Sequence, residues 1–154
     1  GQFDELVGTA QPDVVVLMRA TARRTIPPGT DRVDPCGEAY RSWYRTELQT
    51  EVDVLSQSGA TVAIATRPYA RFGDTVQDDV DDETDCLNEE IEAVAAASPA
   101  AVVLPVQDWI CPDTDDRMCI DTLEGVTLRP DGLHFRGPGA AVATRWIIEQ
   151  LYGP

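Results

Sequence analysis

The sequence contains one histidine, and it stands three residues after an aspartate in the run Asp131-Gly132-Leu133-His134. Histidine is the side chain that most readily gains and loses a proton near neutral pH, so His134 is a candidate general base. In such a turn the Asp131 carboxylate can reach back to the imidazole, fix its tautomer and stabilise the imidazolium formed during proton transfer. The alternative is structural, with Asp131 capping a turn beside a surface histidine, because four-residue motifs also occur by chance.

A general base needs a nucleophile to deprotonate, and the four serines are poorly placed for that role. Ser42 lies inside a predicted helix, Ser56 and Ser58 lie near its end, and Ser98 precedes a proline. None of them follows a predicted strand, where a nucleophile would reach the edge of a sheet. All twelve basic residues are arginine, which excludes Schiff-base chemistry and a P-loop lysine.

Two further features could have a function: one arginine, Arg19, and one run of acidic residues. Arg19 directly follows the first predicted strand, where it could bind an anionic or polar substrate or form a structural salt bridge. Between Asp74 and Asp85 seven of twelve residues are acidic, but they lack the ligand spacing and the fixed glycine of a calcium-binding hand. We therefore expect a solvated acidic loop, no metal site and no cofactor.

The overall composition narrows the functional classes. The 154 residues, 43% hydrophobic and 25% charged, predict one globular domain. A net charge of −15 would repel a polyanion, so nucleic acid is not an expected partner. The longest apolar runs have five residues, which is too short to cross a bilayer, and no leader precedes the first strand, so we expect any export signal outside this sequence.

The apolar pattern predicts the elements that must position these side chains. Buried strands are expected over 14–18, 61–66 and 101–106, the first of them a central strand covered on both faces. Helices are expected from Glu38 to the stop at Gly59, over 86–97, and after Gly137-Pro138-Gly139 to about residue 151. The alternation of strands and helices predicts an α/β fold with a mainly parallel sheet. The loops after Met18, Thr66 and Val106 then share the edge at which such sheets carry their sites.

The four cysteines are spaced too unevenly for a zinc site, and only one histidine could help them. Cys111 and Cys119 flank a polar loop with little apolar content, where a disulfide stabilises most, so we pair them. That leaves Cys36 to pair with Cys86, each at the start of a helical stretch. The alternative is four buried thiols in a cytosolic protein, since an even count is weak evidence.

Several segments of the sequence form a set that matches a known family: Asp85-Cys86-Leu87-Asn88, Trp109-Ile110-Cys111-Pro112, Cys119, Gly125-Val126, Arg129-Pro130-Asp131-Gly132-Leu133-His134-Phe135 and Gly139-Ala140. Together they resemble the C-terminal SGNH-type (GDSL) domain of bacterial membrane O-acyltransferases of acyltransferase family 3, which modify cell-envelope sugars. The resemblance covers nearly the whole chain and is most specific over 109–146.

The resemblance implies a three-layer α/β/α sandwich and a Ser-His-Asp triad without a cofactor, in which His134 is the general base and Asp131 the orienting carboxylate. It also implies an acyl donor, a carbohydrate acceptor and an extracytoplasmic location, with a membrane acyltransferase domain in the parent chain. Family members carry cysteine pairs at comparable places, which supports the disulfide assignment.

The chain departs from the family pattern at the nucleophile. It contains no Gly-Asp-Ser, since its one Gly-Asp, at Gly73-Asp74, precedes Thr75, and Arg19-Ala20-Thr21 stands where the family has a Gly-x-Asn-Asp oxyanion motif. We therefore expect residues 1–154 to be a partial SGNH-like domain whose first strands, serine and one oxyanion donor lie upstream. Alone it should be inactive, and its exposed first strand should promote self-association. The alternative is a non-catalytic binding or assembly module, and a flavodoxin-like or receiver-like domain has less support.

Overall fold

A computed structural model of the chain describes residues 2–19, 34–71, 78–112 and 117–153. The chain packs into two compact units. The first comprises Gly1–Arg67 and Asp82–Val103, and the second comprises Pro68–Asp81 and Leu104–Pro154. The first unit holds most of a parallel sheet, and the second holds the His134 loop. The observed fold is mixed α/β, as the sequence predicts.

The sheet has three strands in the order β1 (Val14–Leu17), β2 (Thr61–Ala65) and β3 (Ala101–Leu104). Strands β1 and β2 are parallel, with Val14 beside Thr61 and Leu17 beside Ile64. In the described part of the chain β1 is half-buried and pairs only with β2, so it is not the central strand that its apolar run indicates. It lies at the edge of the sheet, the position expected for it if the first strands of the family are missing from this sequence. Strand β2, which is buried over its last four residues, is the central one. A continuous apolar run indicates that the side chains of a strand are buried, but it does not indicate whether the strand has one neighbouring strand or two.

Three helices accompany this sheet: α1 (Gln2–Ala10), which the sequence did not predict, α2 (Glu38–Leu55) and α3 (Asp78–Ala97). Helix α2 begins at the predicted residue and buries one face, and α3 ends before Ser98 as predicted. Helices α2 and α3 contribute most of the core of the first unit, which contains Tyr40, Tyr44, Leu48, Val52, Val62, Ile64, Leu87, Ile91 and Val94.

Helix α3 begins eight residues earlier than the apolar pattern predicts, so residues 78–85 of the acidic run are helical and not a solvated loop. Acidic side chains stabilise the first turns of a helix because they face its positive end. Two carboxylates of α3 are fully buried, and both are compensated. Asp81 pairs with Arg71 within the second unit, and Glu90 pairs with arginines of α2 within the first.

The second unit contains α4 (Val106–Ile110), a hairpin of β4 (Thr122–Leu123) and β5 (Val126–Thr127), and α5 (Pro138–Tyr152). Helix α5 is confirmed, whereas α4 and the hairpin replace a predicted long loop. The predicted strand 101–106 ends at Leu104 because Pro105 cannot donate to a sheet and stands at the N-cap of α4. The core of this unit contains Tyr69, Ile110, Cys111, Leu128 and Val142.

Both predicted disulfides are present, one joining Cys36 to Cys86 and one joining Cys111 to Cys119. Each lies within one unit. Two disulfides are compatible with an extracytoplasmic protein, since such bonds persist in oxidising compartments. Among the helices of the described residues, none is long and apolar enough to span a membrane.

Candidate active site

The loop before α5 brings Asp131 and His134 into direct contact, as the sequence predicts. The Asp131 Oδ2 and the His134 Nδ1 are 2.9 Å apart. The other carboxylate oxygen, Oδ1, accepts the backbone N–H groups of Leu133 at 3.1 Å and His134 at 2.7 Å. One carboxylate therefore both closes the turn and contacts the imidazole, while a catalytic role of Asp131 stays a prediction.

The groups around Asp131 determine its charge, and the charge of Asp131 in turn determines which nitrogen of His134 carries the proton. The backbone N–H and the side chain of His134 hold the pKa of Asp131 well below its usual range, and Leu133 and Arg136 act in the same direction. Arg136 Nη2 lies 3.0 Å from Asp131 Oδ2, but its side chain is largely exposed, so this contact is weak. Because Asp131 is ionised and can only accept, Nδ1 must donate, which leaves Nε2 as the acceptor on a neutral ring. The His134 side chain is 59% exposed, so the dyad is open to solvent.

Gly132 holds the turn against Arg71. Its φ is +72°, a left-handed conformation that favours glycine, and its carbonyl accepts the Arg71 backbone N–H at 2.8 Å. A Cβ at this position would lie 1.2 Å from the Arg71 carbonyl oxygen. Only glycine therefore allows the loop carrying the dyad to lie this close to the chain at Arg71.

Residues 69–71, here called the support segment, are themselves fixed by buried arginines. Arg129 Nη1 donates to the Tyr69 carbonyl at 2.6 Å. Arg71 Nη1 donates to both carboxylate oxygens of Asp81, at 3.0 and 3.1 Å, and Arg71 Nη2 donates to the carbonyl of Arg117. The loop is thus bound to the support segment on both sides of Asp131. Sequence reasoning missed these arginines, since nothing in the local pattern relates residue 71 to residue 132.

Aromatic side chains pack beside the loop within the same unit. Trp109 stacks on Trp146 with ring centroids 4.4 Å apart and on Phe135, next to His134, with centroids 6.0 Å apart. Gly139 brings α5 against the chain, because a Cβ there would lie 2.3 Å from the Leu128 carbonyl oxygen. These contacts tie the residue after the dyad to α4 and α5.

The remaining predicted site residues lie in the first unit. Arg19 Nη2 pairs with Glu51 Oε1 at 3.1 Å, so the structural salt bridge is present, while substrate binding by Arg19 stays a prediction. The serines lie in α2, in the turn after it and after α3, and none follows a strand directly: Ser42, Ser56, Ser58 and Ser98. Residues 20–21 and 73–75, which stand in place of two family motifs, lie outside the described residues.

Asn88, within the matching segment 85–88, has a defined structural role in the first unit. Its Oδ1 accepts the Arg67 backbone N–H at 2.8 Å, and its Nδ2 donates to the Arg67 carbonyl at 2.9 Å. This pair of bonds secures the chain directly after β2. In the described residues no group of three or more His, Cys, Asp or Glu side chains is arranged to hold a metal ion.

In chemical terms, His134 can accept a proton at Nε2 and can later give that proton back. Comparison of the chain with protein-family models, curated proteins and solved structures finds no match in any of the three. Membership of the family that the sequence resembles is therefore proposed below, and the contact between Asp131 and His134 is the main structural support for that proposal.

Proposed function

We propose that this chain is the greater part of an SGNH-type acyl-transfer or esterase domain with an α/β/α sandwich fold. The observation that carries the proposal is the 2.9 Å contact between Asp131 and His134, with an exposed His134 side chain. An ionised carboxylate on Nδ1 and a free acceptor at Nε2 are what a general base of a Ser-His-Asp triad requires.

In the proposed reaction a serine hydroxyl attacks the carbonyl carbon of an acyl ester while its proton moves to His134 Nε2. The imidazolium is stabilised by Asp131 and returns the proton to the leaving alcohol, which leaves the acyl group on the serine. A sugar hydroxyl or water then gives its proton to Nε2 and takes the acyl group. No cofactor enters this cycle.

The serine and one oxyanion donor belong, in this proposal, to sequence that precedes Gly1 in the natural protein. The serine inventory supports this, because no serine of the present sequence directly follows a described strand. The acyl acceptor is a cell-envelope glycan, and the domain works outside the cytoplasm, tethered by a membrane acyltransferase domain. The two disulfides support an oxidising location.

The test is acetyl-ester hydrolysis by the natural protein and by three variants of it. His134→Ala should lower kcat by about two to four orders of magnitude, the usual contribution of a general base. Asp131→Asn should also lower kcat, because its amide can donate to Nδ1 and stabilise the wrong tautomer. Arg136→Gln is the matched control, since it removes an exposed contact to the same carboxylate and should change kcat little. Full activity in His134→Ala, with the fold intact by circular dichroism, would refute the proposal.

A second candidate is a non-catalytic binding or assembly module on the same scaffold. It accounts for the lack of a serine after any described strand without requiring a nucleophile elsewhere in the natural protein. It predicts that the natural protein neither hydrolyses nor transfers acyl groups, and that His134→Ala changes nothing but the local structure.

A further inference from the structure

Two arginines occupy equivalent places at the carboxyl ends of neighbouring strands in the first unit. Arg19 follows the end of β1 at Leu17 by two residues, and Arg67 follows the end of β2 at Ala65 by two residues. Since β1 and β2 are parallel and paired in register, both arginines stand at the same edge of the sheet. Ligands of open α/β sheets bind at this edge.

Arg19 is only partly compensated there. Its Nη2 pairs with Glu51 Oε1 at 3.1 Å and its guanidinium lies over the Tyr44 ring, 4.8 Å from the centroid. Among the described residues its buried Nη1 has no hydrogen-bond partner, and the same holds for the hydroxyl of Tyr44. The Tyr44 side chain is almost fully buried, so its hydroxyl is an unpaired donor in the interior of the described structure.

Arg67 adds a second positive charge at this edge of the sheet, near enough to Tyr44 to lower the pKa of its hydroxyl. Burial raises the pKa of Tyr44, and the charges of Arg19 and then Arg67 lower it from nearby, so the hydroxyl stays protonated and able to donate. Burial lowers the pKa of Arg67, with Tyr44, Tyr40 and Glu83 acting in the other direction. The Arg67 backbone is fixed by Asn88, and within the described residues its guanidinium forms no ion pair. The cluster thus holds two cations and one carboxylate, Glu51, whose Oε1 pairs with Arg19 and whose buried Oε2 has no hydrogen-bond partner among the described residues.

We propose that Arg19, Arg67 and the Tyr44 hydroxyl form a binding site for an anionic oxygen group, a carboxylate or a phosphate, carried by a ligand at this edge of the sheet. All three groups are donors, and an anion would supply the acceptor that Arg19 Nη1 and the Tyr44 hydroxyl lack in the described structure. Glu51 occupies one side of Arg19 and acts as a resident competitor. The site lies wholly within the first unit and does not depend on the dyad or on the proposed acyl transfer.

The test is titration of the chain with acetate and, separately, with inorganic phosphate at constant ionic strength, followed by NMR of the arginine Nε–H groups. We expect saturable shifts of the Arg19 and Arg67 signals, and the anion that binds more tightly identifies the group. Tyr44→Phe and Arg67→Gln should each weaken binding about tenfold, because each removes a hydrogen bond to a charged ligand. Glu51→Gln should strengthen binding, since it releases Arg19.

Arg145→Gln is the matched control, because Arg145 is exposed and pairs with exposed Glu124 in the second unit. It should leave both titrations unchanged. Shifts that do not saturate below about 0.1 M anion would overturn the proposal, because so weak an affinity is that of a nonspecific ion. Saturable shifts that persist in Tyr44→Phe and Arg67→Gln and do not strengthen in Glu51→Gln would mean an adventitious ion only. Tyr44→Phe and Glu51→Gln keep the test decisive even if an arginine variant fails to fold.

Discussion

Replacement of Gly132 with alanine tests what holds the dyad in place. The left-handed φ of +72° costs a non-glycine residue about 1–2 kcal/mol. The new Cβ would lie 1.2 Å from the Arg71 carbonyl oxygen, so the turn must move away by roughly 2 Å to restore ordinary contact at about 3.5 Å. That movement breaks the 2.8 Å bond from the Arg71 N–H to the Gly132 carbonyl, which costs about another 1 kcal/mol. We expect a total of about 2–3 kcal/mol, the sum of these two costs.

Gly125→Ala is the matched control, because Gly125 lies in the same unit with a φ of +78°, and a Cβ added there would meet nothing within 4 Å. It should cost only the conformational part, about 1–2 kcal/mol. With a urea dependence of about 2 kcal/mol per M, the midpoint of unfolding should fall by about 1–1.5 M for Gly132→Ala and by about 0.5 M less than that for Gly125→Ala. Equal shifts for the two variants would refute the idea that close contact with Arg71 supports the turn.

Three further predictions concern charges and cross-links. Asp131→Asn should convert the imidazole of His134 from a single Nε2-acceptor tautomer to a mixture in ¹⁵N NMR spectra. Its stability deficit should be complete above about pH 4, the unfolded value, and should shrink progressively as the pH falls below that toward the depressed pKa of Asp131; a deficit that stays constant below pH 4 would contradict this. Glu90→Gln should lower the free energy of unfolding by about 1–2 kcal/mol at pH 7, whereas Glu89→Gln, on an exposed carboxylate, should lower it by less than about 0.5. Burial raises the pKa of Glu90, but its bonds from two partly exposed arginines lower that pKa more. The deficit of Glu90→Gln should therefore vanish as the pH falls through the lowered pKa of Glu90, and a deficit that persists at lower pH would contradict this. Removal of the Cys36–Cys86 disulfide, which spans 50 residues, should cost about 4 kcal/mol of stability, and removal of the Cys111–Cys119 disulfide, which spans 8, about 2.5, because closing a longer loop restricts the unfolded chain more. Thermal unfolding of the two variants measures the difference, and the reverse order would contradict this explanation.

The helices and strands were predictable where the burial of one face or of a whole strand leaves a regular pattern of apolar residues in the sequence. The apolar faces of α2 and α5 and the β-branched runs of β1 to β3 identify those elements within a few residues. The start of α3 was not predictable in this way, because residues 78–85 are mostly acidic and their stabilisation comes from the helix end and from Arg71. The apolar pattern of β1 does not show its edge position, since pairing between strands leaves no mark on that pattern; the expectation of an exposed first strand rested on the family resemblance instead.

The candidate site was predictable to the extent that it is local. Asp131 and His134 are three residues apart, and a short turn suffices to join them. The contacts that hold the turn are not local: Gly132 binds Arg71 across 61 residues of chain, and Arg129 binds Tyr69 across 60. Such pairs leave no periodic signal in a single sequence, although the glycine in the turn is itself a sign of close backbone approach.

The central claim is that His134 and Asp131 activate a serine that this sequence does not contain. The most direct measurement is mass spectrometry of the natural protein after reaction with an alkyl fluorophosphonate, which bonds covalently to an activated serine. We predict one adduct on a serine outside residues 1–154, lost in His134→Ala, and none on the 154-residue chain alone. An adduct on one of the four serines of this chain, or none on a folded natural protein, would contradict the account.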